Sequence, residues 1–497
     1  ASDVYKRQHV VITITGSNDN PVITSGNQAG SVTELAGVTG LTTLDQTTGT
    51  LTFTDIDLSD THTTTVTSVT ASGVTSGLSA NNATLKSWLS FDASPTTDST
   101  NGGTGQRNWT FSSADQNFDY LAAGEHLTLT YTVTATDNHG GSDSKTITIT
   151  VNGASDAAVV GGDATGSVTE LTDTTNSSTA DTASGAVTFT SSDLSGTHKI
   201  AVTNVAVGGT KTGLPTDGSV LSWLNLGALT DSTNGSTGSQ AWTFSAADKS
   251  FDYLANGEQV TLTYTVAVQN TSDLSAAQRD DDGSHRHVTQ KGDGEWEDDN
   301  YSTLSTTAAT KTVTITVTGT NDRPDVSVVT TDRASAGLTE TNAALSTTGT
   351  LTVADVDLSN TVTTRVDSVS VATGSNAFGG TLPLSLNNAT LLNMLSVSPS
   401  SALNADPGSS HNLTWTFNSN PEAFNFLAQG ETLTLDYVLK GTDNSGVTSN
   451  NVDTQHVVIT ITGSNDNPVI TSGNQTGSVA ELAGVTGLTT LDQTTGT

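Results

Sequence analysis

Apolar and polar residues alternate along many short stretches of this chain. Leu127, Leu129, Tyr131 and Val133 alternate with threonines, and residues 146–151 follow the same pattern. A period of two places successive side chains on opposite faces of a strand, so these stretches are predicted to be half-buried antiparallel β-strands. Threonine suits the solvent-facing side because its branched Cβ favours extended backbone. Clusters of Gly, Asn, Asp and Ser break the strands at short intervals, which is typical of an all-β sandwich or barrel.

Aromatic residues recur at equivalent places in the predicted strands and are expected to anchor a core between two sheets. These Trp-Thr-Phe positions are Trp109/Phe111, Trp242/Phe244 and Trp415/Phe417. The apolar spacing within Leu85–Leu89 predicts a single helical turn, with Asn81 or Asn82 as its N-cap.

Internal repetition is the strongest signal in the sequence. His9–Thr50 recurs as His456–Thr497 with two differences, at an offset of 447 residues. A junction motif built on Gly, Asn and Asp appears four times, and its aspartates are separated by 137, 166 and 144 residues: Asp19, Asp156, Asp322 and Asp466. Repetition at this period indicates tandem domains, and the chain is too long for a single core.

The junction motifs predict the domain limits. Repeat 1 covers residues 18–154, repeat 2 covers 155–320, repeat 3 covers 321–464, and residues 465–497 begin a fourth repeat. Residues 1–17 are interpreted as a cloning or assembly scar, over residues 1–8, followed by the last strand of a preceding repeat. An acidic insertion in repeat 2, at about 276–302, is predicted to be a mobile surface loop, with metal or ligand binding as the alternative.

Charge narrows the range of partners. Acidic residues outnumber basic ones 50 to 16, for a net charge of −34. Such a polyanion repels nucleic acid and anionic membranes and attracts cations. With 33% hydrophobic residues this charge would indicate disorder, but the regular alternation with threonine favours folded strands. The chain has no cysteine, hence no disulfide or thiolate metal site, and no apolar stretch is long enough to span a membrane.

Three motifs carry a family resemblance. "LxxGExLTLxYxV", "TVTITVTGTNDxP" and "SVTEL" together resemble the VCBS repeat of large bacterial repeats-in-toxin adhesins and biofilm proteins. The resemblance implies tandem immunoglobulin- or cadherin-like antiparallel β-sandwich domains in an elongated array. It also implies a structural spacer or stalk in cell adhesion, exported to the medium or the bacterial cell surface.

The junction motif is similar to the calcium-binding linker of cadherins. In that analogy a Glu near the start of a domain and an Asp-x-Asp pair complete the site, so Glu34 would join Asp55 and Asp57. Calcium prefers six to eight hard oxygen ligands. The candidate calcium ligands are Asn18, Asp19, Asn20, Glu34, Asp55, Asp57, Asp137, Asn321, Asp322, Glu340, Asp355, Asp357, Asp443, Asn465 and Asp466.

Each candidate ligand also has a simpler interpretation, since Asp and Asn are good turn residues and Asn-Asp-x-Pro can form a turn without metal. Repeat 2 departs from the pattern. Ser191 replaces Asp55, and Gln269 or Asn270 replaces Asp137. If calcium binds, the junction that opens repeat 2 is therefore expected to be weaker or empty.

No catalytic motif is present, so the sequence predicts that this region is not an enzyme. Its expected partners are calcium and neighbouring repeats of the same chain. Two alternatives stay open: a lectin-like module that binds a surface glycan or a host or matrix protein, and a non-catalytic accessory region of a larger extracellular enzyme.

Overall fold

The computed structural model describes most of the chain: residues 8–93, 97–216, 218–274, 288–290, 296–298, 304–305, 307–372, 378–481, 483, 486–487, 489 and 491–496. It divides into two compact units, Ala1–Thr320 and Asn321–Thr497. Repeats 1 and 2 lie in the first unit, and repeat 3 lies in the second.

Repeat 1 is built almost entirely of strands. In chain order its elements are β1 (Val22–Ile23), β2 (Gln28–Thr33), β3 (Leu44–Thr54), β4 (His62–Gly73), α1 (Asn82–Ser87), β5 (Leu89–Phe91), a 3₁₀ turn (Thr100–Gly102), β6 (Gly105–Ala114), a second 3₁₀ turn (Asp115–Asn117), β7 (His126–Asp137) and β8 (Ser142–Asn152).

The described residues of repeat 2 have the same order of strands and helix as repeat 1, without its first 3₁₀ turn and with additions near the end. The described elements are β9 (Val159–Gly162), β10 (Thr165–Thr169), β11 (Ala180–Thr190), β12 (His198–Gly209), α2 (Ser219–Ser222), β13 (Leu224–Thr230), β14 (Gly238–Ala247), a 3₁₀ turn (Asp248–Ser250), β15 (Gln259–Asn270), a 3₁₀ turn (Thr271–Asp273), β16 (Val288–Gln290), β17 (Trp296–Asp298) and β18 (Ala309–Thr318).

Repeat 3 follows the plan of repeat 1. Its elements are β19 (Asp325–Ser327), β20 (Ser335–Thr339), β21 (Ser346–Ala354), β22 (Val362–Ala372), α3 (Asn388–Leu392), β23 (Leu395–Ser398), β24 (Leu413–Asn418), β25 (Thr432–Asp443) and β26 (Val452–Thr462).

Two sheets form each sandwich. In repeat 1 the strand orders are β1-β3-β6-β5 and β2-β8-β7-β4, and repeats 2 and 3 contain equivalent pairs of sheets. Neighbouring strands run antiparallel, except that the second strand of each repeat pairs in parallel with the last: β2 with β8, β10 with β18, and β20 with β26. The pattern predicted an all-β sandwich or barrel, and the tandem antiparallel β-sandwich class that the family resemblance implied is confirmed. The limits given for the repeats stay predictions.

The core lies between the two sheets of each sandwich. In repeat 1, Trp109, Phe111 and Tyr131 are at most 1% exposed, and the equivalent residues of repeats 2 and 3 are equally buried. The Tyr131 hydroxyl donates to the backbone oxygen of Leu85 at 3.0 Å. This bond satisfies the buried hydroxyl and ties the helical turn to the sheet. The aromatic anchors predicted from the sequence are therefore core residues.

A helical turn is present where one was predicted, but α1 begins at Asn82 and ends at Ser87, and Leu89, which was placed in the turn, is the first residue of β5. The structure also identifies the N-cap. The Asn81 side chain accepts a hydrogen bond from the Thr84 backbone N–H at 3.0 Å, while Asn82 is the first helical residue. Asn387 caps α3 in the same way, and α2 has no side-chain cap.

Replacing the cap should weaken repeat 1. Asn81→Ala removes one acceptor from the helix start and is expected to lower its free energy of unfolding by about 1 kcal/mol. Asn82→Ala is the control, because Asn82 makes no capping bond and is exposed. Urea unfolding of the full chain measures both, and equal losses would contradict the assignment of Asn81 as the cap.

The insertion of repeat 2 differs in part from the prediction. Backbone segments β16 and β17 pair with each other, and β17 pairs with β12 at the edge of the sheet. These two segments are therefore strands rather than irregular loop, because an edge strand offers unpaired backbone groups that another strand can satisfy. The mobility of the insertion stays a prediction. The other residues of the insertion, including the acidic run Asp280–Asp282 and His285, lie outside the described residues.

Within the described residues, no helix has the length and apolar character that crossing a membrane requires.

Candidate metal-binding junctions

The position of Glu34 follows from the parallel pairing of β2 with β8. The register ends at Thr33 opposite Asn152, and the Glu34 backbone N–H donates to the Asn152 oxygen at 3.0 Å. Its carboxylate Oε2 accepts a bond from the Ala154 N–H at 3.0 Å. Glu34 is thus held beside the linker that leads into repeat 2.

The predicted grouping of Glu34 with Asp55 and Asp57 is therefore wrong. Parallel pairing with the last strand brings Glu34 to the end of repeat 1 at which the chain leaves. Glu340 behaves in the same way in repeat 3: its N–H donates to the Thr462 oxygen at 2.8 Å, and its Oε2 accepts from the Ser464 hydroxyl at 2.8 Å. It does not belong with Asp355 and Asp357.

Glu34, Asp119 and Asp156 form what we call the joint cluster. One carboxylate oxygen from each lies within 4.8 Å of the other two. Asp119 comes from repeat 1, just after the second 3₁₀ turn, and Asp156 comes from the opening of repeat 2. Asp193 of repeat 2 adjoins the cluster, since its Oδ2 accepts a bond from the Asp156 N–H at 3.1 Å. The cluster therefore joins carboxylates from two consecutive repeats.

The joint cluster buries negative charge with little compensation. Glu34 is 3% exposed and Asp156 is fully buried. Glu34 Oε1, Asp119 Oδ1, Asp156 Oδ1 and Asp193 Oδ1 are buried and accept no hydrogen bond from the described residues. Leaving a buried carboxylate oxygen without a donor or a cation is unfavourable, so a proton or a cation is expected to balance this charge.

The pKa values of these carboxyl groups reflect that environment. Burial, reinforced by Asp156, Asp193 and Asp119, raises the pKa of Glu34 to about 9 in spite of the bond from Ala154. Burial also raises the pKa of Asp156 to about 7 and that of Asp193 to about 7. These shifts mean that the unbalanced carboxylates favour protonation near neutral pH.

A second acidic group lies at the opposite end of repeat 1. Oxygens of Asp55, Asp60 and Asp137 lie within 4.8 Å of one another. Asp137 Oδ2 accepts from the Asn18 amide at 3.0 Å, and Asp57 Oδ2 accepts from the Asp19 N–H at 2.7 Å. The backbone of Gly141 approaches so closely that an added Cβ would lie 2.6 Å from Asn20 Oδ1, which places Asn20 here too. The structure therefore brings together the predicted site residues of this end, except Glu34, and adds Asp60.

His62 distinguishes this group from its counterparts. Its Nε2 lies 2.9 Å from Asp55 Oδ2 and its Nδ1 lies 2.7 Å from Asp98 Oδ1. Burial alone lowers the pKa of His62, but the bonds to the two aspartates outweigh it and raise the pKa. In repeat 2, His198 keeps one such aspartate, Asp231, at 2.7 Å.

Repeat 3 holds a third acidic group, which contains Asn321, Asp322, Asp355, Asp357 and Asp443. The Asn321 amide donates to Asp443 at 3.3 Å, and the Asp322 N–H donates to Asp357 Oδ2 at 3.1 Å. Burial raises the pKa of Asp355 to about 7, and burial together with Asp355 raises the pKa of Asp357 to about 9. The five residues predicted for this end are thus brought together.

The last two predicted ligands belong to none of the three acidic groups described above. Asn465 and Asp466 are exposed, and the Asn465 amide donates to the Asp466 backbone oxygen at 3.4 Å. Among the described residues, neither side chain makes a hydrogen bond to a predicted ligand of another segment.

The sequence pattern did not identify Asp60, Asp119 or Asp193 as site residues. A signal for Asp119 was available, because Phe118-Asp119-Tyr120 recurs as Phe251-Asp252-Tyr253 and the aspartate lies between two aromatic core residues.

The strand register also decides which residue of repeat 2 corresponds to Asp137. His62 lies opposite Asp137 in repeat 1, and His198 lies opposite Asn270 in repeat 2. Asn270 rather than Gln269 therefore takes the place of Asp137.

No protein-family model matches the chain, and no curated protein matches it; the resemblance to the VCBS repeat stays a prediction. Solved structures similar to it include protocadherin gamma B2 extracellular cadherin domains 1–5, at 11% identity and a TM-score of 0.36, over 91% of this chain and 62% of that chain. Mouse cadherin-23 EC22–24 is 11% identical with a TM-score of 0.32, over 90% of this chain and 99% of that chain. The I67–I69 fragment of titin is 8% identical with a TM-score of 0.23, over 90% of this chain and 100% of that chain. The chain thus spans less than two thirds of the protocadherin fragment, and similarity at these identities concerns the fold alone.

Proposed function

We propose that this chain is a non-catalytic spacer of a secreted or cell-surface bacterial adhesin, and that calcium stiffens the joints between its repeats. Each sandwich supplies a folded segment, and a cation bound between two sandwiches restricts their relative motion. Without the cation, like charges at the joint repel and the joint becomes more flexible.

The joint cluster is the observation that supports this proposal. It takes Glu34 and Asp119 from one repeat and Asp156 from the next, and each of the three has a buried oxygen that lacks a hydrogen-bond donor among the described residues. A cation bound there would link two repeats directly. This favours binding at the opening of repeat 2, where the Asp-x-Asp pattern alone predicts a weaker junction.

Calcium fits these ligands better than other biological metals. The cluster offers carboxylate oxygens, and the chain contains no cysteine. Hard oxygen ligands in a flexible arrangement suit calcium, and extracellular modules bind it with dissociation constants of about 10⁻⁴–10⁻³ M. Magnesium demands a nearly ideal octahedron and gives up its water reluctantly.

The glycan-binding alternative gains no support from the three tryptophans of the Trp-Thr-Phe strands. Trp109, Trp242 and Trp415 are at most 1% exposed, so they present no aromatic surface to a sugar. The spacer function is therefore preferred to glycan binding.

Calorimetry of the full chain in millimolar calcium, in magnesium and in excess chelator tests the proposal. A ligand that binds only the folded state stabilises it by about 2.7 kcal/mol at one hundred times its dissociation constant. Calcium is expected to raise the unfolding temperature, and magnesium is expected to raise it much less.

A matched pair of variants locates the effect. Glu34→Gln, Asp119→Asn and Asp156→Asn together should remove most of the calcium-dependent shift in the first unit. Asp92→Asn, Asp406→Asn and Glu422→Gln remove the same formal charge from exposed positions and should leave the shift intact. Superimposable melting curves in calcium and chelator would refute the calcium proposal.

A further inference from the structure

Leu194 makes an apolar contact across the joint between repeats 1 and 2. It follows Asp193 in the loop between β11 and β12 of repeat 2, yet it packs against the hydrophobic core of repeat 1. Its backbone N–H donates to the oxygen of Tyr120 in repeat 1 at 3.3 Å. An apolar side chain of one repeat is thus seated on the other.

The surface that receives Leu194 is shaped by a glycine and a tyrosine. Gly77 has a φ of +103°, and a Cβ added there would lie 2.7 Å from two ring carbons of Tyr120 and 2.8 Å from Leu194 Cδ1. The Tyr120 hydroxyl donates to the Val74 oxygen at 3.0 Å, which holds the ring in place. Only glycine suits position 77 because of both its backbone conformation and the space available.

A backbone hydrogen bond within repeat 2 also fixes the position of Leu194. The Asn234 N–H donates to the Leu194 oxygen at 2.9 Å, and Asn234 has a positive φ of 51°. Repeat 1 uses the same arrangement, since the Asn101 N–H donates to the Leu58 oxygen at 2.9 Å and Asn101 has a φ of 61°. The loop conformation is therefore a recurrent feature that fixes this leucine.

We infer that Leu194 and the Gly77–Tyr120 surface form a cation-independent lock between repeats 1 and 2. The contact is apolar, it uses no carboxylate, and it lies beside the joint cluster rather than within it. The lock goes beyond the proposed calcium function, because it keeps the two repeats in a fixed relative orientation when no metal is bound. A leucine at the position of Leu194 can therefore pack on a preceding repeat that carries a glycine and a tyrosine at the positions of Gly77 and Tyr120.

Distance measurement between two spin labels in excess chelator tests the lock. Because the chain has no cysteine, Ser90→Cys and Ala228→Cys place one label on an exposed residue of each repeat. The native lock should give a narrow distance distribution without calcium. Leu194→Ala should make that distribution about twofold broader, since the joint opens when its apolar contact is lost.

Control variants, and the same measurement with added calcium, distinguish the apolar lock from the proposed calcium function. Leu58→Ala changes the equivalent leucine, which is 58% exposed, and should leave the distribution unchanged. Leu194→Met keeps an apolar side chain and should restore a narrow distribution. Equal widths for the native chain and Leu194→Ala in chelator would overturn the lock. A failure of calcium to narrow the Leu194→Ala distribution would count against the calcium proposal instead.

Discussion

In excess chelator, repeats 1 and 2 are expected to lose stability as the pH rises from about 4.5 to about 9. Glu34 has an unperturbed pKa of 4.5, and its folded-state pKa is raised to about 9. Between these values the folded state binds more protons than the unfolded chain, so its free energy of unfolding falls with increasing pH. Asp156 and Asp193, with pKa values of about 7, act in the same direction at the lower end of this range.

The expected loss is on the order of 1–3 kcal/mol, the scale for a buried polar group without a partner. Below pH 4.5 the protonated cluster contributes its full stability, and above pH 9 that contribution is gone. Calcium should flatten the dependence at neutral and alkaline pH, because a cation then balances the ionised carboxylates in place of protons.

Urea unfolding of the full chain between pH 5 and pH 9 in chelator measures this effect. Glu34→Gln should remove most of the slope of the transition in which repeats 1 and 2 unfold, since a neutral amide has no proton to lose. The raised pKa values of Asp355 and Asp357 give repeat 3 a pH dependence of its own, which this variant should leave unchanged. Asp92→Asn, at an exposed position, should leave the slope intact. Stability that stays constant or rises across this range would contradict the burial of unbalanced carboxylates.

Gly49→Ala is expected to cost repeat 1 about 3 kcal/mol or more of its free energy of unfolding. Gly49 faces Trp109 across β3 and β6. A Cβ added to it would lie 2.5 Å from Cε2 and 2.8 Å from Nε1 of the Trp109 ring. The ring cannot retreat, because Trp109 is 1% exposed and packs within the core.

A glycine on another strand provides the matched control for this change. Gly337 lies on β20 and has nothing within 4 Å of an added Cβ, so Gly337→Ala should change stability by less than about 1 kcal/mol. Tryptophan fluorescence during urea unfolding compares the two variants. Similar small effects would show that the core has room over Trp109 and would refute the packing argument.

Period-two patterning was enough to predict the strands and their buried faces. Leu127, Leu129 and Tyr131 alternate in sequence and are fully buried on β7. The pattern could not predict which strands pair, and for that reason Glu34 was grouped with the wrong aspartates. The contact of Gly49 with Trp109 likewise depends on a register that the sequence does not contain.

Identical sequences in the chain show why local pattern is insufficient. His9–Thr15 and His456–Thr462 have the same sequence, but only the second lies in a strand, where Ile459 is fully buried while Ile12 is 79% exposed. The second copy pairs with β25 and β20. Strand propensity therefore becomes structure only where neighbouring strands supply hydrogen-bond partners.

The parallel pairing of β2 with β8 determines how a repeat responds to tension. Once the two-residue pairing of β1 with β3 is released, a pull on both ends of repeat 1 is expected to draw β2 from its first residue and β8 from its last, so that the two strands are displaced in opposite directions along their axes. The ladder from Gln28 to Thr33 is then loaded in shear, and its hydrogen bonds must break together rather than one after another. Because β10–β18 and β20–β26 have the same arrangement, resistance to rupture is built into each sandwich separately.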